Sequence, residues 1–523
     1  MGRTIKPQTF LMTLTNFGSV RGSQDSSSGL FLFTFAFACG TINIQSNNHE
    51  RCVMSFLDEL QKNTNHNTRT ENGAITNDSS LNANLDYFSL AGAMRNNQEE
   101  AGRLFAKAYA TDPLTAVKTL FYMRDIRGGQ GERNVFYAGW NELSENVQAK
   151  LAKYIPEYGR WDEVIELAPN SDEVVKAQFE ADERNMADGK PVSLMAKWLP
   201  SENSSSRKSR IQARNLARAL GLKPREYRKK VVALRKYIKL LEQKMSSREW
   251  QEIDYSKLPS QAGRKHIKAF MRHDEERYGE FLEKAKNGEV KINTSTLYTY
   301  EVFNTIQQGH NEAADAMWAN LPDYTNGSDA LVVADVSGSM YGEPISVSVS
   351  LALYFAEHNK GIFNNKFMTF SERPQVVDVV GNTLTDKLRF IESREWGMST
   401  NLEATFEAIK NAAVSSGQGN EGMPKVLYII SDMEFNQAVQ NPSATIFENA
   451  KASFTEAGLE LPHVVFWNVN ARNTHTPATK FDNRVTLISG LSQSTFRYAV
   501  EGKTPIELMN EVVYSDRYKD IEL

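Results

Sequence analysis

Cysteine is nearly absent: of 523 residues only Cys39 and Cys52 are cysteines, and none follows Cys52. The rest of the chain therefore carries no disulfide framework and no thiolate metal centre, which fits a reducing compartment and leads us to expect a cytoplasmic protein. Long apolar runs are missing too. No stretch approaches the roughly 18 apolar residues that a membrane helix needs. Histidine is scarce, and none of the eight has zinc-protease spacing. His266 and His273 fall on one expected helix without a second ligand pair, and read as part of a solvated face. No Gly-rich phosphate loop and no Gly-x-Ser-x-Gly elbow occurs. With no general base in evidence beside any candidate site, the sequence points away from an enzyme.

What remains is the composition of a globular protein, with 41% hydrophobic and 24% charged residues and a formal net charge of -4. The length allows two or three domains. We expect a poorly structured segment over 1–80, an all-α region over 81–327 and an α/β domain over 328–523. The Phe-rich run Leu30–Cys39 is flanked by Ser/Asn-rich stretches, and Met54, followed by an amphipathic Ser55–Leu60, is the expected natural start. From about 81 to 320 apolar residues recur at helical spacing, as in Leu104 and Ala108, then Leu114, Val117, Leu120 and Phe121. Asp112 followed by Pro113 is a helix-start signature. Consecutive helices without strands suggest a stacked, helical-repeat-like array, although no fixed period stands out.

Charge is concentrated in one place. Between Arg207 and Lys244 fourteen Lys/Arg residues face only Glu226 and Glu242. Arg210, Arg214 and Arg218 repeat every four residues and share a helix face, with Arg207 and Lys208 leading into it. After Gly221 a second helix is expected to bury Val231, Leu234, Ile238 and Leu241, with Arg228, Arg235 and Lys239 on another face. Such a surface suits phosphate neutralisation. RNA, DNA bound by a helix-turn-helix, and a solvated face paired with acidic neighbours all remain open, DNA being the less favoured nucleic acid. Tyr227 and Tyr237 could stack on bases or belong to the core.

Residues Leu331–Ala334 form a short apolar run of the kind that makes a strand buried on both faces. Asp335-Val336-Ser337-Gly338-Ser339 follows, at the strand's carboxyl end, where open α/β sheets bind ligands. One carboxylate and two hydroxyls at alternate positions suit Mg²⁺, with Mn²⁺ or Ca²⁺ possible, but such ions want about six oxygens. Thr400, ahead of the helical pattern Leu402, Phe406, Ile409, and Asp432, ending the apolar run Val426–Ile430, could complete the set. Strands are expected near 331–334, 366–370, 375–380, 425–431, 463–469 and 484–488, with a helix over 344–358. The ligands are expected at the exposed rim of the sheet.

These residues resemble the metal-ion-dependent adhesion site of von Willebrand factor A domains. The resemblance implies a Rossmann-like doubly wound domain in which Asp335, Ser337, Ser339 and Thr400 are ligands and Asp432 binds directly or through water. It also implies an open metal position that a partner's carboxylate fills. The stretch Phe121–Arg133, with its turn Gly128-Gly129-Gln130-Gly131, resembles TROVE domains, the helical RNA-binding ring of the Ro autoantigen. Leu194–Pro200, Pro259–Ala262, Lys265–Tyr278 and Trp396-Gly397-Met398 look closer to an uncharacterised family that joins a Ro-like helical region to a terminal von Willebrand A domain. The implied function is a non-enzymatic, RNA-binding scaffold whose metal domain recruits an acidic partner; the alternative is a protein-protein adaptor without nucleic acid.

Overall fold

The apolar runs after residue 329 become strands because each is buried on both faces and too short to make a useful helix. The computed structural model describes residues 67–168, 171–325, 329–394, 399–498 and 503–523, together with Phe56, Leu57 and Leu60. The Leu30–Cys39 run, the proposed start at Met54 and Trp396-Gly397-Met398 lie outside the described residues. The chain first forms a small antiparallel hairpin, β1 (Asn67–Arg69) and β2 (Ile75–Asn77). Helices follow, among them α1 (Ala83–Leu90), α2 (Pro113–Arg124), α3 (Arg207–Ala219) and α4 (Pro224–Ile238). The α/β part then runs β3 (Ala330–Asp335), α5 (Glu343–His358), β4 (Lys366–Phe370), β5 (Val376–Asp378), α6 (Leu402–Ser416), β6 (Val426–Ser431), β7 (His463–Asn468), β8 (Val485–Ser489) and α7 (Pro505–Val513). Among the described residues no helix is long and apolar enough to cross a membrane.

The sheet order is β5-β4-β3-β6-β7-β8, parallel throughout except for the antiparallel edge strand β5. That edge is the hairpin-like feature expected around Pro374. From β3 the chain moves outward to β4 and then crosses back to β6 on the other side. The switch in direction opens a crevice at the carboxyl ends of β3 and β6, where Asp335 and Asp432 stand.

Alternation along each strand divides the core into two. Val332, Ala334, Tyr428, Ile430, Val465 and Trp467 face α5 and the helical region, in one continuous apolar cluster that includes Phe88, Tyr122 and Trp318. Leu331, Val333, Leu427, Ile429, Val464 and Phe466 face Phe406 of α6 and Phe447 and Phe454 of a later helix. On the first face Phe496 sits 4.8 Å from Trp467, 4.9 Å from Phe355 and 5.0 Å from Tyr428, ring centre to ring centre. Such pairs contribute about 0.5–1.5 kcal/mol each beyond their buried area.

The boundary at 327/328 is therefore one of secondary structure and not of packing. Arg517 pairs with buried Asp125 at 2.8 Å, and Lys118 donates to the carbonyl of Tyr518, so the carboxyl-terminal segment is fastened to α2 and the turn after it. The start of α2 follows the sequence: Asp112 accepts from the Thr115 backbone N–H at 3.2 Å, with Pro113 at the first helical position. Residues 67–80, assigned from sequence to a poorly structured segment, instead dock on the sheet. Asn77 exchanges backbone hydrogen bonds with Thr476, and Thr70 donates its hydroxyl to the Phe435 carbonyl at 2.6 Å.

Candidate cation site and basic helix pair

The loop after β3 folds tightly on itself. The Ser337 N–H donates to Asp335 Oδ1 at 2.9 Å, the Ser337 and Ser339 hydroxyls lie 3.1 Å apart, and Gly338–Met340 make one short turn. Gly342 then takes a φ of 95°, a left-handed value glycine adopts without steric cost, and α5 begins at Glu343. Asp335 Oδ2 accepts from the Ser431 hydroxyl at 2.5 Å, which ties β3 to β6. The expectation of ligands on an exposed rim is corrected here: Asp335 is 0%, Asp432 1% and Thr400 2% exposed, and only Ser339 is partly open. The parallel strands end beneath loops and the docked hairpin, which cover the tips.

Burial pushes the Asp335 carboxyl up to about 6, and the charge of Asp432 adds to the effect. Asp432 Oδ1 accepts from the Glu434 N–H at 3.2 Å, while Oδ2 has no hydrogen-bond donor and lies 3.0 Å from an Arg472 nitrogen as an ion pair. Thr400 reaches the site through the segment after β6, donating to Asn436 Oδ1 at 2.7 Å and standing 3.1 Å from the Glu434 carbonyl. The next residue back, Ser399, has a buried hydroxyl without a partner among the described residues. Thus Asp335, Ser337, Ser339 and Asp432 gather around the β3/β6 crevice, and Thr400 joins them through residues 434–436.

Two buried carboxylates, neighbouring hydroxyls and two oxygens that lack donors make a chemistry suited to a hard divalent cation such as Mg²⁺, Mn²⁺ or Ca²⁺. Among the described residues no group of three His, Cys, Asp or Glu side chains is placed to hold a metal, so any cation here would rely on hydroxyl oxygens beside the two carboxylates.

Sequence reasoning missed the outer ring of this site. Glu434 is buried and accepts from Asn473 at 2.7 Å and from the Glu71 N–H at 2.6 Å, with His475 Nε2 at 3.1 Å. Burial alone would raise its carboxyl, yet these partners hold it below the usual glutamate range. Arg472, Asn473 and His475 follow the carboxyl end of β7, so the rule that placed Asp335 and Asp432 at strand tips could have found them. Glu71 and Asn72 carried a different signal, the Asn72-Gly73 turn.

In the basic stretch, Arg207, Lys208, Arg214, Arg218, Arg228 and Lys239 are exposed, and among the described residues no acidic side chain pairs with any of them. Three readings are corrected. Arg235 turns inward and donates to the carbonyls of Ala196 at 2.8 Å and Leu199 at 2.5 Å and to Ser201 Oγ at 2.8 Å, and burial lowers its guanidinium from the ordinary value. Arg210 is partly buried and closes the preceding turn through the Ser204 and Ser205 carbonyls. Lys239 is not on a helix face: it ends α4 with a φ of 53°, and Leu241 starts a separate helix. Tyr227 is core, donating to the Pro200 carbonyl at 2.8 Å.

Two family descriptions fit this architecture. Residues 70–152 and 172–330 match a domain of unknown function, DUF2828, and residues 329–521 match another, DUF7788. The two matches meet at the start of β3. The chain is also similar to the uncharacterized protein L728 of Acanthamoeba polyphaga mimivirus, 29% identical over 475 residues, spanning 81% of this chain and 82% of that one. A superposition on the crystal structure of the Deinococcus radiodurans RO (RSR) protein spans 82% of this chain and 93% of that chain at 11% identity, with a TM-score of 0.31. At that score the overlay carries no argument about fold or function.

Proposed function

We propose that this protein is a non-enzymatic, cytoplasmic RNA-binding scaffold whose C-terminal part is a von Willebrand A-type domain with a Mg²⁺-dependent ligand site. The observation that carries the RNA reading is the unpaired basic surface of α3 and α4. Cations in the first turn of a helix oppose its dipole by about 0.3–1 kcal/mol each. Arg207 and Lys208 open α3 nonetheless, with no acidic partner among the described residues to compensate them. Phosphate groups would supply that compensation. Asp335, Ser337, Ser339, Thr400 and Asp432 would hold the cation. When bound, the ion offers an open position to an anionic oxygen of a partner, an Asp or Glu side chain being the natural fit.

Binding to single-stranded and structured RNA over a salt series tests the first half. Affinity should fall as salt rises, and reversing Arg214, Arg218 and Arg228 to Glu should weaken binding and reduce the slope by about one for each phosphate no longer neutralised. Salt-independent binding, or full affinity in the triple variant, overturns it. The same measurements on duplex DNA separate the helix-turn-helix alternative. For the second half, Asp335→Ala should lower Mg²⁺ affinity strongly in calorimetry. Unchanged affinity removes the cation assignment.

A second reading, an adaptor that binds only protein, draws on one observation. Ile211 and Val232 stand 49% and 56% exposed among the basic residues, an apolar mix suited to a protein partner. Nucleic acid recovered with the purified protein decides between them.

A further inference from the structure

The hairpin that sequence analysis assigned to a poorly structured segment ends in a tip, Glu71-Asn72-Gly73, laid against the cation site. Asn72 Nδ2 lies 3.1 Å from Thr400 Oγ1 and 2.7 Å from the Glu434 carbonyl. Gly73 bridges to Asn436, the residue that accepts the Thr400 hydroxyl. Asn72 donates to the Thr400 hydroxyl, whose own proton has the Asn436 amide oxygen at 2.7 Å and the Glu434 carbonyl at 3.1 Å as acceptors, so the hydroxyl is held between the hairpin tip and residues 434–436. Glu71 Oε2 lies 2.9 Å from Arg472, the same nitrogen that stands 3.0 Å from Asp432 Oδ2. One guanidinium is thus shared between a candidate ligand and the hairpin. Its contact with Asp432 is one of charge and not an aligned hydrogen bond, because both atoms lack hydrogen-bond partners.

We infer that Arg472 and the hairpin tip set the affinity and coordination of the cation site: Arg472 competes with the ion for Asp432, Glu71 draws Arg472 away, and Asn72 positions Thr400. The inference rests on the cation reading of Asp335, Ser337, Ser339, Thr400 and Asp432. Asp335 accepts at both of its oxygens, from the Ser337 N–H and the Ser431 hydroxyl, so the donor-free Oδ2 of Asp432 is the oxygen for which the ion and Arg472 compete. A positive charge a few ångströms from a divalent ion repels it through a poorly screened interior. These are positioning residues, and none need touch the ion.

The signature is a pair of opposite shifts. In calorimetry with Mg²⁺ and, separately, Mn²⁺ on the full chain, Arg472→Met should tighten binding about ten-fold, since a repelling charge has gone. Glu71→Gln should weaken it several-fold, because Arg472 is then left wholly to Asp432. Asn72→Ala should also weaken it, and Arg472→Gln serves as a second neutral variant should the methionine variant fold poorly. A merely structural role for the hairpin predicts weakening in every variant, so weaker or unchanged binding on neutralising Arg472 overturns the inference. The parent reading fails differently: no Mg²⁺ or Mn²⁺ binding by the wild-type chain, or binding that survives Asp335→Ala, removes the cation site itself and this inference with it.

Discussion

His463 opens β7 at the end of the sheet opposite the cation site, and acid should act on it in a calculable way. The ring is 3% exposed, its Nε2 lies 2.8 Å from Thr486 Oγ1, and its Nδ1 has no partner among the described residues. Burial, reinforced by the charge of Arg484, lowers its pKa from the ordinary 6.5 to about 4. Between those values the unfolded chain binds a proton that the folded chain refuses. Stability from this group is therefore complete above about pH 6.5 and lost as pH falls toward about 4. At pH 5 the loss is about 2 kcal/mol relative to pH 8, approaching about 3.4 kcal/mol below pH 4. Other groups titrate over the same range, so the test compares wild type with His463→Gln, which cannot protonate. Urea unfolding followed at pH 8 and pH 5 should show the wild type losing about 2 kcal/mol more than the variant. Parallel losses in both would refute the reasoning, as would a labelled-histidine NMR titration placing His463 near 6.5.

Two further outcomes concern the helical region. Glu163 is 0% exposed and is held by Arg124 through contacts at 2.8–3.0 Å, so Arg124→Met strands a buried carboxylate and should cost about 3 kcal/mol, the low end for such pairs because Arg133 remains 3.1 Å away. Adding Glu163→Gln should recover part of that loss, and a double variant no more stable than the single one in denaturant unfolding would contradict this account. At Gly129 an added Cβ would fall 1.9 Å from the Tyr122 carbonyl oxygen, so Gly129→Ala should destabilise by about 2–4 kcal/mol, and wild-type unfolding midpoints in that variant would show the turn to be more yielding than its packing indicates.

The sheet was legible almost residue by residue. Runs expected at 331–334, 366–370 and 463–469 are strands at Ala330–Asp335, Lys366–Phe370 and His463–Asn468, because a strand covered on both faces has to be apolar at consecutive positions. Burial on both sides leaves a composition that few other structures share. The hairpin was not read. Its strands are polar and only three residues long, and what stabilises them is a surface hundreds of residues away. Asn72-Gly73 was a usable turn signal, but without apolar alternation around it nothing marked the flanks as strands. Arg235 shows a second limit: helical spacing assigns a residue to a face, yet cannot tell water from a cage of carbonyl oxygens beyond it. The same blindness hid Arg472, since a charged loop residue gives no sequence sign of which carboxylate it will meet.

The tie between the hairpin and the sheet has a consequence for how the chain comes into being. Thr70 meets Phe435 across 365 positions and Lys118 meets Tyr518 across 400, so these elements find their partners only after several hundred further residues have been made. Closing loops of that length adds little to the equilibrium cost but slows the search. Until then the apolar side of α1 that will cover β8, and that of α2 that will pack on α7, stand open, a period of exposure in which chaperones or an already bound partner would have most to do.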